Sequence, residues 1–503
     1  MKITGLGHSC VLLDLPSPEG SPEGSPGVGS TRILVDPWLS DHATGDGMGR
    51  FPRLRFAVEA LGPVHAVFIS HAHSDHLDPY TLVRLWRELP EPPALLLPVS
   101  LSFLLPVLRR YLPSLDVVVL APYVPVPFRG LELLGVYDVG QEPTNEDDVM
   151  VLVVSNGPEV VLVEADARLS LEQPEFRAYI SQLLRGPHIR SAVFLTTENE
   201  LDATMAARTC RTPAERQALR EEGLNQLLEA VHELYSPWED PDDLWHGTQV
   251  LRLVHGQGLA APAELDPRWQ HVLFPVRIDD RVEEERAAAQ RAGFVHGIDR
   301  LTDGQVHRIV AGRVASREPV VGLTLLDDEE RRVFRAELDF APELPCAPLY
   351  DDPRDVEAQR ARIQALLDER FLPYLHGLRA PPVLHLLAAY DGAYRIRVHY
   401  GSGDAFDYVL GFDARGFVEQ LATEAEPQEA YWANDLEDFL DGRCDEFSPF
   451  CRTQLPAEAM QLWSCLAMPL LHSDLVARRV ALHFERAEAG LTPGSFVMPR
   501  YEA

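Results

Sequence analysis

Short apolar runs separated by turn residues dominate the first half of the chain, and they predict a series of strands with few helices. The run at residues 66–70, Ala-Val-Phe-Ile-Ser, is typical of a short strand that ends on a group of histidines. Residues 79–88 are predicted to form a helix directly after it. Other apolar runs of the same kind predict strands at residues 11–15, 33–35, 116–120, 131–136, 149–154, 160–164 and 249–254.

Helical signals become more frequent in the second half. A helix is predicted from Thr212, because Thr212, Pro213 and Glu215 supply an N-cap, a first-turn proline and a capping-box acid. Further helices are expected at residues 281–291 and 356–371, and a hairpin at residues 394–398 and 406–412. The acidic stretch at residues 432–446 is expected to be a solvated helix face.

The order of these elements predicts an α/β protein of two domains. The first domain is expected at residues 1–345, with a core at about 1–265 and an extension after it. A C-terminal α+β domain is expected at residues 346–503, where it would shape a substrate pocket or form a homodimer interface.

Composition excludes several kinds of partner. The 503 residues include 77 acidic and 45 basic side chains, which gives a net charge of −32. Such a surface repels phosphate groups, so we expect neither nucleic-acid nor membrane partners. Lys2 is the only lysine, which excludes mechanisms that need a lysine nucleophile.

The sequence also indicates the cellular compartment in which the protein is expected. The N-terminus lacks a signal-peptide pattern, and no apolar run approaches the ~20 residues that span a bilayer. The six cysteines form no Cys-x-x-Cys pair, which argues against a disulfide framework or an iron–sulfur domain. A cytoplasmic protein is the expectation.

One motif has the residue types and spacing of a metal-binding site. His71, His73, Asp75 and His76 place four side chains that can bind metal within six positions at the end of a predicted strand. Strand alternation projects His71 and His73 to one side, and the following turn brings Asp75 and His76 round to a second metal. Burying all four without a partner is costly, so a bound cation is the simplest explanation.

The His-x-His-x-Asp-His motif, with Gly7-His8-Ser9-Cys10 and Asp36-Pro37-Trp38-Leu39 before it, resembles the metallo-β-lactamase-fold superfamily. These motifs are most similar to those of one branch of the superfamily, which holds the metallo-domain of CMP-N-acetylneuraminate hydroxylase. The Rieske domain of that enzyme is absent from this chain. The resemblance implies an αββα metallo-β-lactamase sandwich. His8, Asp36 and Trp38 are expected to pack near the ligands. Asp36 would either orient a ligand histidine or cap the turn before Pro37.

The resemblance also implies three further ligands: a third histidine for the first metal, a bridging aspartate and a last histidine. Asp166 follows an apolar run and fits the bridging position, while His255 fits the last histidine better than His188 does. No histidine occurs between His76 and His188. Glu142 is therefore the candidate replacement for the third one, ahead of Asp138 and Glu146. The implied set is His71, His73 and Glu142 for one metal, Asp75, His76 and His255 for the other, and Asp166 as the bridge.

This ligand set, with four imidazoles and three carboxylates, favours iron over zinc. It is similar to the metallo-β-lactamase-fold diiron β-hydroxylase of chloramphenicol biosynthesis, although the metallo-domain is C-terminal there and N-terminal here. We expect a diiron oxygenase that hydroxylates a small organic substrate with electrons from a separate donor, with Asp75 and Asp166 as catalytic residues. The alternatives are a dizinc hydrolase of an ester, amide, lactone or phosphodiester and a non-catalytic binding protein with a degenerate site.

Overall fold

The computed structural model describes thirteen stretches of the chain: residues 1–16, 29–42, 49–137, 149–167, 189–198, 248–260, 277–292, 297–326, 353–371, 393–411, 417–420, 429–443 and 473–491. Its strands are β1 (Lys2–Gly5), β2 (Val11–Pro16), β3 (Ser30–Val35), β4 (Gly49–Arg50), β5 (Leu54–Phe56), β6 (Ala66–Phe68), β7 (Ala94–Pro98), β8 (Val117–Leu120), β9 (Val126–Phe128), β10 (Leu131–Tyr137), β11 (Met150–Ser155), β12 (Glu159–Ala165), β13 (Ser191–Glu198), β14 (Gln249–Gly256), β15 (Leu259–Ala260), β16 (Gly297–Arg300), β17 (Gln305–Val310), β18 (Arg313–Pro319), β19 (Leu323–Leu325), β20 (Ala393–His399), β21 (Ala405–Gly411), β22 (Phe417–Gln420) and β23 (Glu429–Trp432).

The α-helices of these stretches are α1 (Pro79–Glu88), α2 (Leu105–Tyr111), α3 (Ile278–Ala292), α4 (Val356–Leu366), α5 (Ala433–Leu440) and α6 (Ser473–Glu488). Short 3-10 helices cover Val58–Leu61 and Val99–Leu104, and a π-helical turn at Leu367–Phe371 continues α4. The helix predicted at residues 79–88 has the bounds of α1, and Asp78 caps it by accepting from the Tyr80 backbone N–H. The helix predicted from Thr212 lies outside the described residues.

Two large mixed sheets form the body of the protein. The first has eight strands in the order β18-β17-β1-β2-β3-β6-β7-β8. Its pairs are antiparallel as far as β3 and parallel from β3 to β8. The second has seven strands in the order β16-β14-β13-β12-β11-β10-β9, in which β12, β13, β14 and β16 run parallel. The predicted α/β class is confirmed.

The inner faces of the two sheets share one hydrophobic core. Strand alternation sends Val11, Leu13 and Phe68 of the first sheet into the same cluster as Val163 and Leu195 of the second. These side chains are almost fully buried. Face-to-face packing therefore brings the carboxyl ends of parallel strands from both sheets to one region, where loops carry functional groups.

The outer face of the first sheet is covered by α1, α2 and α6. Leu82 of α1, Leu108 of α2 and Phe484 of α6 lie in one buried cluster with Leu34 and Val67 of the sheet. On the second sheet, α3 contacts β14 and β16. A helix from the last tenth of the chain thus packs against helices that follow the histidine motif, while the domain division at residue 346 stays a prediction.

Residues 353–443 contain a separate four-stranded sheet in the order β22-β21-β20-β23, together with α4 and α5. The expected solvated acidic face at residues 432–446 is wrong for α5, because Asp435, Glu437 and Asp438 are almost fully buried. Arginines compensate two of these charges. Arg354 donates to Glu437 at 2.8 Å and to Asp438 at 3.0 and 2.9 Å, and Arg362 and Arg443 add further ion pairs to Glu437 and Asp438.

Candidate metal centre

The histidine motif forms the loop between β6 and α1, and backbone hydrogen bonds shape it. The Ser70 carbonyl accepts from the Met150 backbone N–H at 3.1 Å, which ties the loop to β11 of the second sheet. The His73 carbonyl accepts from the backbone N–H groups of His76 and Leu77 at 3.1 and 2.8 Å, closing a tight turn. His71 and His76 thereby reach the same side, with ring centroids 4.1 Å apart.

Two overlapping groups of possible ligands meet at His76. In one group, ligand atoms of His71, His76 and Asp166 lie within 4.8 Å of one another. In the other group, atoms of His8, Asp75 and His76 lie within the same distance. The His73 ring is 4.4 Å from the His71 ring. The fold thus brings side chains from both sheets to one buried cluster that can bind metal.

Asp36, directly after β3, holds two histidine rings of the loop. It contacts the His76 ring directly and the His71 ring through Ser70. Its Oδ2 lies 2.9 Å from His76 Nδ1, and its Oδ1 accepts from the Ser70 backbone N–H at 2.7 Å. The Ser70 hydroxyl donates to Asp36 at 2.7 Å and lies 2.9 Å from His71 Nδ1. Of the two roles expected for Asp36, the structure shows the contact with His76, a predicted ligand.

His8 joins the N-terminal turn to the cluster. Its Nε2 lies 2.8 Å from Asp75 Oδ2, and its backbone carbonyl accepts from His255 Nδ1 at 3.0 Å. The turn is tight enough that a Cβ on Gly258 would lie 2.3 Å from the His8 Cβ. His8 therefore contacts two predicted ligands that come from different sheets.

Several nitrogen and oxygen atoms of the cluster lack a hydrogen-bond partner among the described residues. Three of these atoms are buried and have no such partner: His71 Nε2, His73 Nε2 and Asp75 Oδ1. Leaving a buried polar group unsatisfied costs about 1–3 kcal/mol, so three of them close together are unusual in a native protein. A metal ion supplies the partner that each atom needs, and these residues fit one.

Burial and neighbouring charges set the protonation of the cluster. Burial, with His76 and His73 close by, lowers the pKa of His71 well below its usual value, and burial lowers the pKa of His255 to about 4. Both rings are therefore neutral near pH 7, which is the form that binds metal.

His76 and Asp166 behave as an ion pair. Burial opposes protonation of His76, but the charges of Asp166, Asp75 and Asp36 hold its pKa well above the usual value. Burial likewise opposes ionisation of Asp166, but His76 and His71 hold the pKa of this carboxyl well below its usual range. The atoms His76 Nε2 and Asp166 Oδ2 lie 2.9 Å apart. A positive charge at this point is thus favoured by three carboxylates.

The structure places most of the predicted site residues together. His71, Asp75, His76 and Asp166 belong to the two groups of ligand atoms, and His73 contacts His71. His255 lies beside them through the His8 carbonyl, with its Nε2 3.5 Å from the Thr197 hydroxyl. Glu142 and the other candidates Asp138, Glu146 and His188 lie outside the described residues. The assignment of each residue as a ligand stays a prediction.

From the sequence, His8 is expected near the ligands but not among the groups that could bind metal. The signal in the sequence is limited to Gly7 before His8, and the positive φ angles of the two residues, 96° for Gly7 and 50° for His8, come from the structure. A histidine in the left-handed conformation is uncommon and points to a local constraint. The contact between His8 and Asp75 could not be predicted from the sequence, because 67 positions separate the two residues.

No model of a known protein family matches the chain, and no curated protein sequence does. Among solved structures, the chain is similar to CmlA, a diiron β-hydroxylase from Streptomyces venezuelae, with 16% identity and a TM-score of 0.33. That match covers 60% of this chain and 52% of CmlA, so the chain spans about half the length of that relative. It is also similar to the metallo-β-lactamase-fold protein YhfI from Bacillus subtilis, with 13% identity, a TM-score of 0.30 and coverage of 61% and 99%. The similarity to metallo-β-lactamase-fold proteins is distant.

Among the described helices, none combines the length and the apolar character needed to cross a membrane.

Proposed function

We propose that this chain is a metal-dependent enzyme of the metallo-β-lactamase fold whose buried cluster binds two metal ions. The observation that carries the proposal is the set of buried atoms without a hydrogen-bond partner among the described residues, His71 Nε2, His73 Nε2 and Asp75 Oδ1. They lie in one loop, beside an Asp166 carboxylate whose low pKa keeps it charged. Buried groups of this kind are stabilised by a cation.

Seven residues would hold the two ions. His71 and His73 with Glu142 would bind the first, Asp75, His76 and His255 would bind the second, and Asp166 would bridge them. Three carboxylates among seven ligands make a hard, anionic set, which suits iron better than zinc. We therefore propose a diiron oxygenase that hydroxylates a small organic substrate and takes electrons from a separate donor.

A bound iron pair would supply O₂ activation, which protein side chains alone cannot perform. The chain's own residues orient the site and exclude water. Asp36 contacts the Nδ1 atom of His76, and Ser70 contacts the Nδ1 atom of His71. The Nε2 atoms of both rings are therefore directed at the cluster. The Asp166 side chain is 15% exposed while His71 and His76 are 0% exposed, so a substrate would approach on the Asp166 side.

A dizinc hydrolase is the second candidate. The His-x-His-x-Asp-His order favours it, because this motif supplies three imidazoles within six positions and histidine nitrogen is a preferred zinc ligand. In that case a bound zinc pair would supply a hydroxide nucleophile at neutral pH. An ester, amide, lactone or phosphodiester would then approach on the Asp166 side, where the cluster is partly exposed.

Anaerobic reconstitution tests the proposal. The metal-free chain is loaded with Fe²⁺ or with Zn²⁺, and bound metal is counted by mass spectrometry. Two irons per chain, a Mössbauer spectrum of a coupled pair and O₂ uptake with a chemical reductant are the expected results. Two zinc ions with esterase or phosphodiesterase turnover, and no O₂ uptake by the iron form, would overturn the oxygenase in favour of the hydrolase. A chain that binds neither metal would overturn both.

Two variants sharpen this experiment. Asp166→Asn is expected to lose at least one ion, because a bridging carboxylate contacts both. Glu142→Ala is expected to lose iron from the first position, and full iron content in this variant would remove Glu142 from the ligand set. Glu132→Ala is a matched control, since this exposed acid on β10 lies in the same part of the sequence and away from the cluster.

A further inference from the structure

We propose that Arg479, on the C-terminal helix α6, is a positioning residue that holds the metal-binding loop in shape. Arg479 Nη2 donates to the backbone carbonyl of Ala72 at 3.3 Å, although 407 positions separate the two residues. Ala72 lies between His71 and His73, the first two predicted ligands. The inference rests on the proposed metal binding and adds to it a residue from the far end of the chain.

The loop needs an outside donor at this point. The Ser70 carbonyl accepts from Met150 of β11, and the His73 carbonyl accepts from the loop's own backbone at His76 and Leu77. The Ala72 carbonyl belongs to the peptide that joins it to His73, and it accepts from Arg479. Holding this peptide restrains the backbone between His71 and His73, the two predicted ligands.

Arg479 is buried, with 6% of its surface exposed. A guanidinium is seldom buried unless its donors are used, because desolvating the charge is expensive. Its location beneath the loop therefore indicates a specific role rather than a chance contact of a surface side chain.

The helix that carries Arg479 is held in place by other residues. Phe484 stacks on Tyr111 of α2, with ring centroids 5.2 Å apart and an interplanar angle of 1°. The Tyr111 hydroxyl donates to Glu485 at 2.8 Å, and the Tyr80 hydroxyl lies 3.0 Å from His483 Nδ1. These contacts anchor α6 on α1 and α2, so a change at Arg479 tests the loop more than the docking of the helix.

The sign of the effect separates positioning from simple electrostatics. A buried positive charge near the cluster repels a metal cation, so an electrostatic role alone predicts that removing the charge tightens metal binding. A positioning role predicts the opposite, because the loop loses the donor that orders His71 and His73 before the metal binds. Changes to residues that orient metal ligands typically weaken affinity by about 10–100-fold.

The test is a Co²⁺ titration of the full chain against a competing chelator, with the visible spectrum recorded as a report of ligand geometry. Arg479→Gln is expected to weaken Co²⁺ binding by about 10–100-fold and to shift the spectrum. Arg479→Lys, which can still donate to the carbonyl, is expected to recover part of the affinity. Arg478→Gln, which removes an exposed side chain paired with Asp441, and Tyr111→Phe, which removes a bond that docks α6, are expected to bind Co²⁺ like the wild type.

Each outcome decides between the ideas. Wild-type affinity and spectrum in Arg479→Gln, or tighter binding, would overturn the inference while leaving the metal site intact. Equal weakening in Tyr111→Phe would also overturn it, because helix docking would then explain the effect. If Arg479→Gln does not fold, Arg479→Met, which keeps a long apolar side chain but has no donor, decides, and wild-type binding with an unchanged spectrum in that variant overturns the inference. A wild-type chain that binds no Co²⁺ would overturn both proposals.

Discussion

His255 Nδ1 donates to the backbone carbonyl of His8 at 3.0 Å, which joins the end of β14 to the turn between β1 and β2. The same His8 contacts Asp75 through its ring. One residue thus aligns two predicted ligands of the second metal. It can do so because Gly258 lets the two backbones approach closely.

Gly258→Ala is expected to weaken metal binding and to destabilise the fold. The new Cβ would lie 2.4 Å from the His8 backbone nitrogen, so His8 must move and carry its contacts with it. Overpacking of this kind costs about 1–3 kcal/mol, and misplaced ligands cost about 10–100-fold in metal affinity. Metal content and urea unfolding measure both effects. Gly29→Ala is the control, because a Cβ there meets nothing within 4 Å. Equal behaviour of the two variants would contradict the prediction.

Asp36→Asn is expected to reduce metal affinity by about 10–100-fold while the chain stays folded. The amide keeps the shape of the carboxylate but not its charge, so it holds His76 Nδ1 less firmly. Competitive chelator titration measures the change. Asp14→Asn, at a partly exposed acid on β2 that pairs loosely with Arg32 at 3.9 Å, serves as the comparison. Affinity unchanged in Asp36→Asn would show that this carboxylate does not tune the ligand.

Removing the metal is expected to lower the melting temperature. A ligand that binds only the folded state at about 1,000 times its Kd adds ~4 kcal/mol to the free energy of unfolding. Differential scanning calorimetry with and without a chelator measures the shift. In His73→Ala the shift should shrink, because a predicted ligand is lost, and a shift of wild-type size in this variant would exclude His73 from the site.

Acid is expected to destabilise the contact between α1 and α6 through His483. Burial, with Arg479 and Arg486 beside it, lowers the pKa of His483 to about 3. The unfolded chain binds this proton with a pKa of about 6.5, so stability is lost as the pH falls from 6.5 towards 3. This one group should cost about 2 kcal/mol between pH 7 and pH 5.

His483→Asn isolates that effect, because asparagine keeps an acceptor for the Tyr80 hydroxyl but does not titrate. Urea unfolding of the metal-free proteins at both pH values gives the comparison. The wild type should lose about 2 kcal/mol more than the variant, since all other titrating groups are shared. Equal losses would contradict the prediction, because they would mean that the pKa of His483 is nearly the same in the folded and the unfolded chain.

Arg354→Ala is expected to reduce the free energy of unfolding by about 1.5–3 kcal/mol, because Glu437 and Asp438 each lose a charged hydrogen-bond partner while Arg362 and Arg443 still pair with them. Burial raises the pKa of Asp438, which shows that its charge depends on such partners. Chemical denaturation measures the loss. Arg478→Ala, which breaks an ion pair of an exposed side chain, should change stability by less than about 1 kcal/mol. Comparable losses in the two variants would contradict a structural role for Arg354.

Sequence by itself determined the elements and the chemistry that depend on local pattern. Short apolar runs located β2, β10, β11 and β12 to within one or two residues, and the bounds of α1 agree with the prediction. The motif at residues 71–76 indicated metal chemistry, because its ligand types are adjacent in the chain. Strand β13 was missed, although its first five residues are apolar or small and buried.

Tertiary structure decided the features that depend on contacts between distant residues. The pairing of His8 with Asp75 and the donation from Arg479 to Ala72 join positions 67 and 407 apart, so no local periodicity encodes them. The acidic pattern of α5 predicted a helix face exposed to solvent. In the structure, Arg354 lies outside the helix and pairs with two of its acids, Glu437 and Asp438. Burial of a charge is a property of its partners in space, and only the folded chain supplies them.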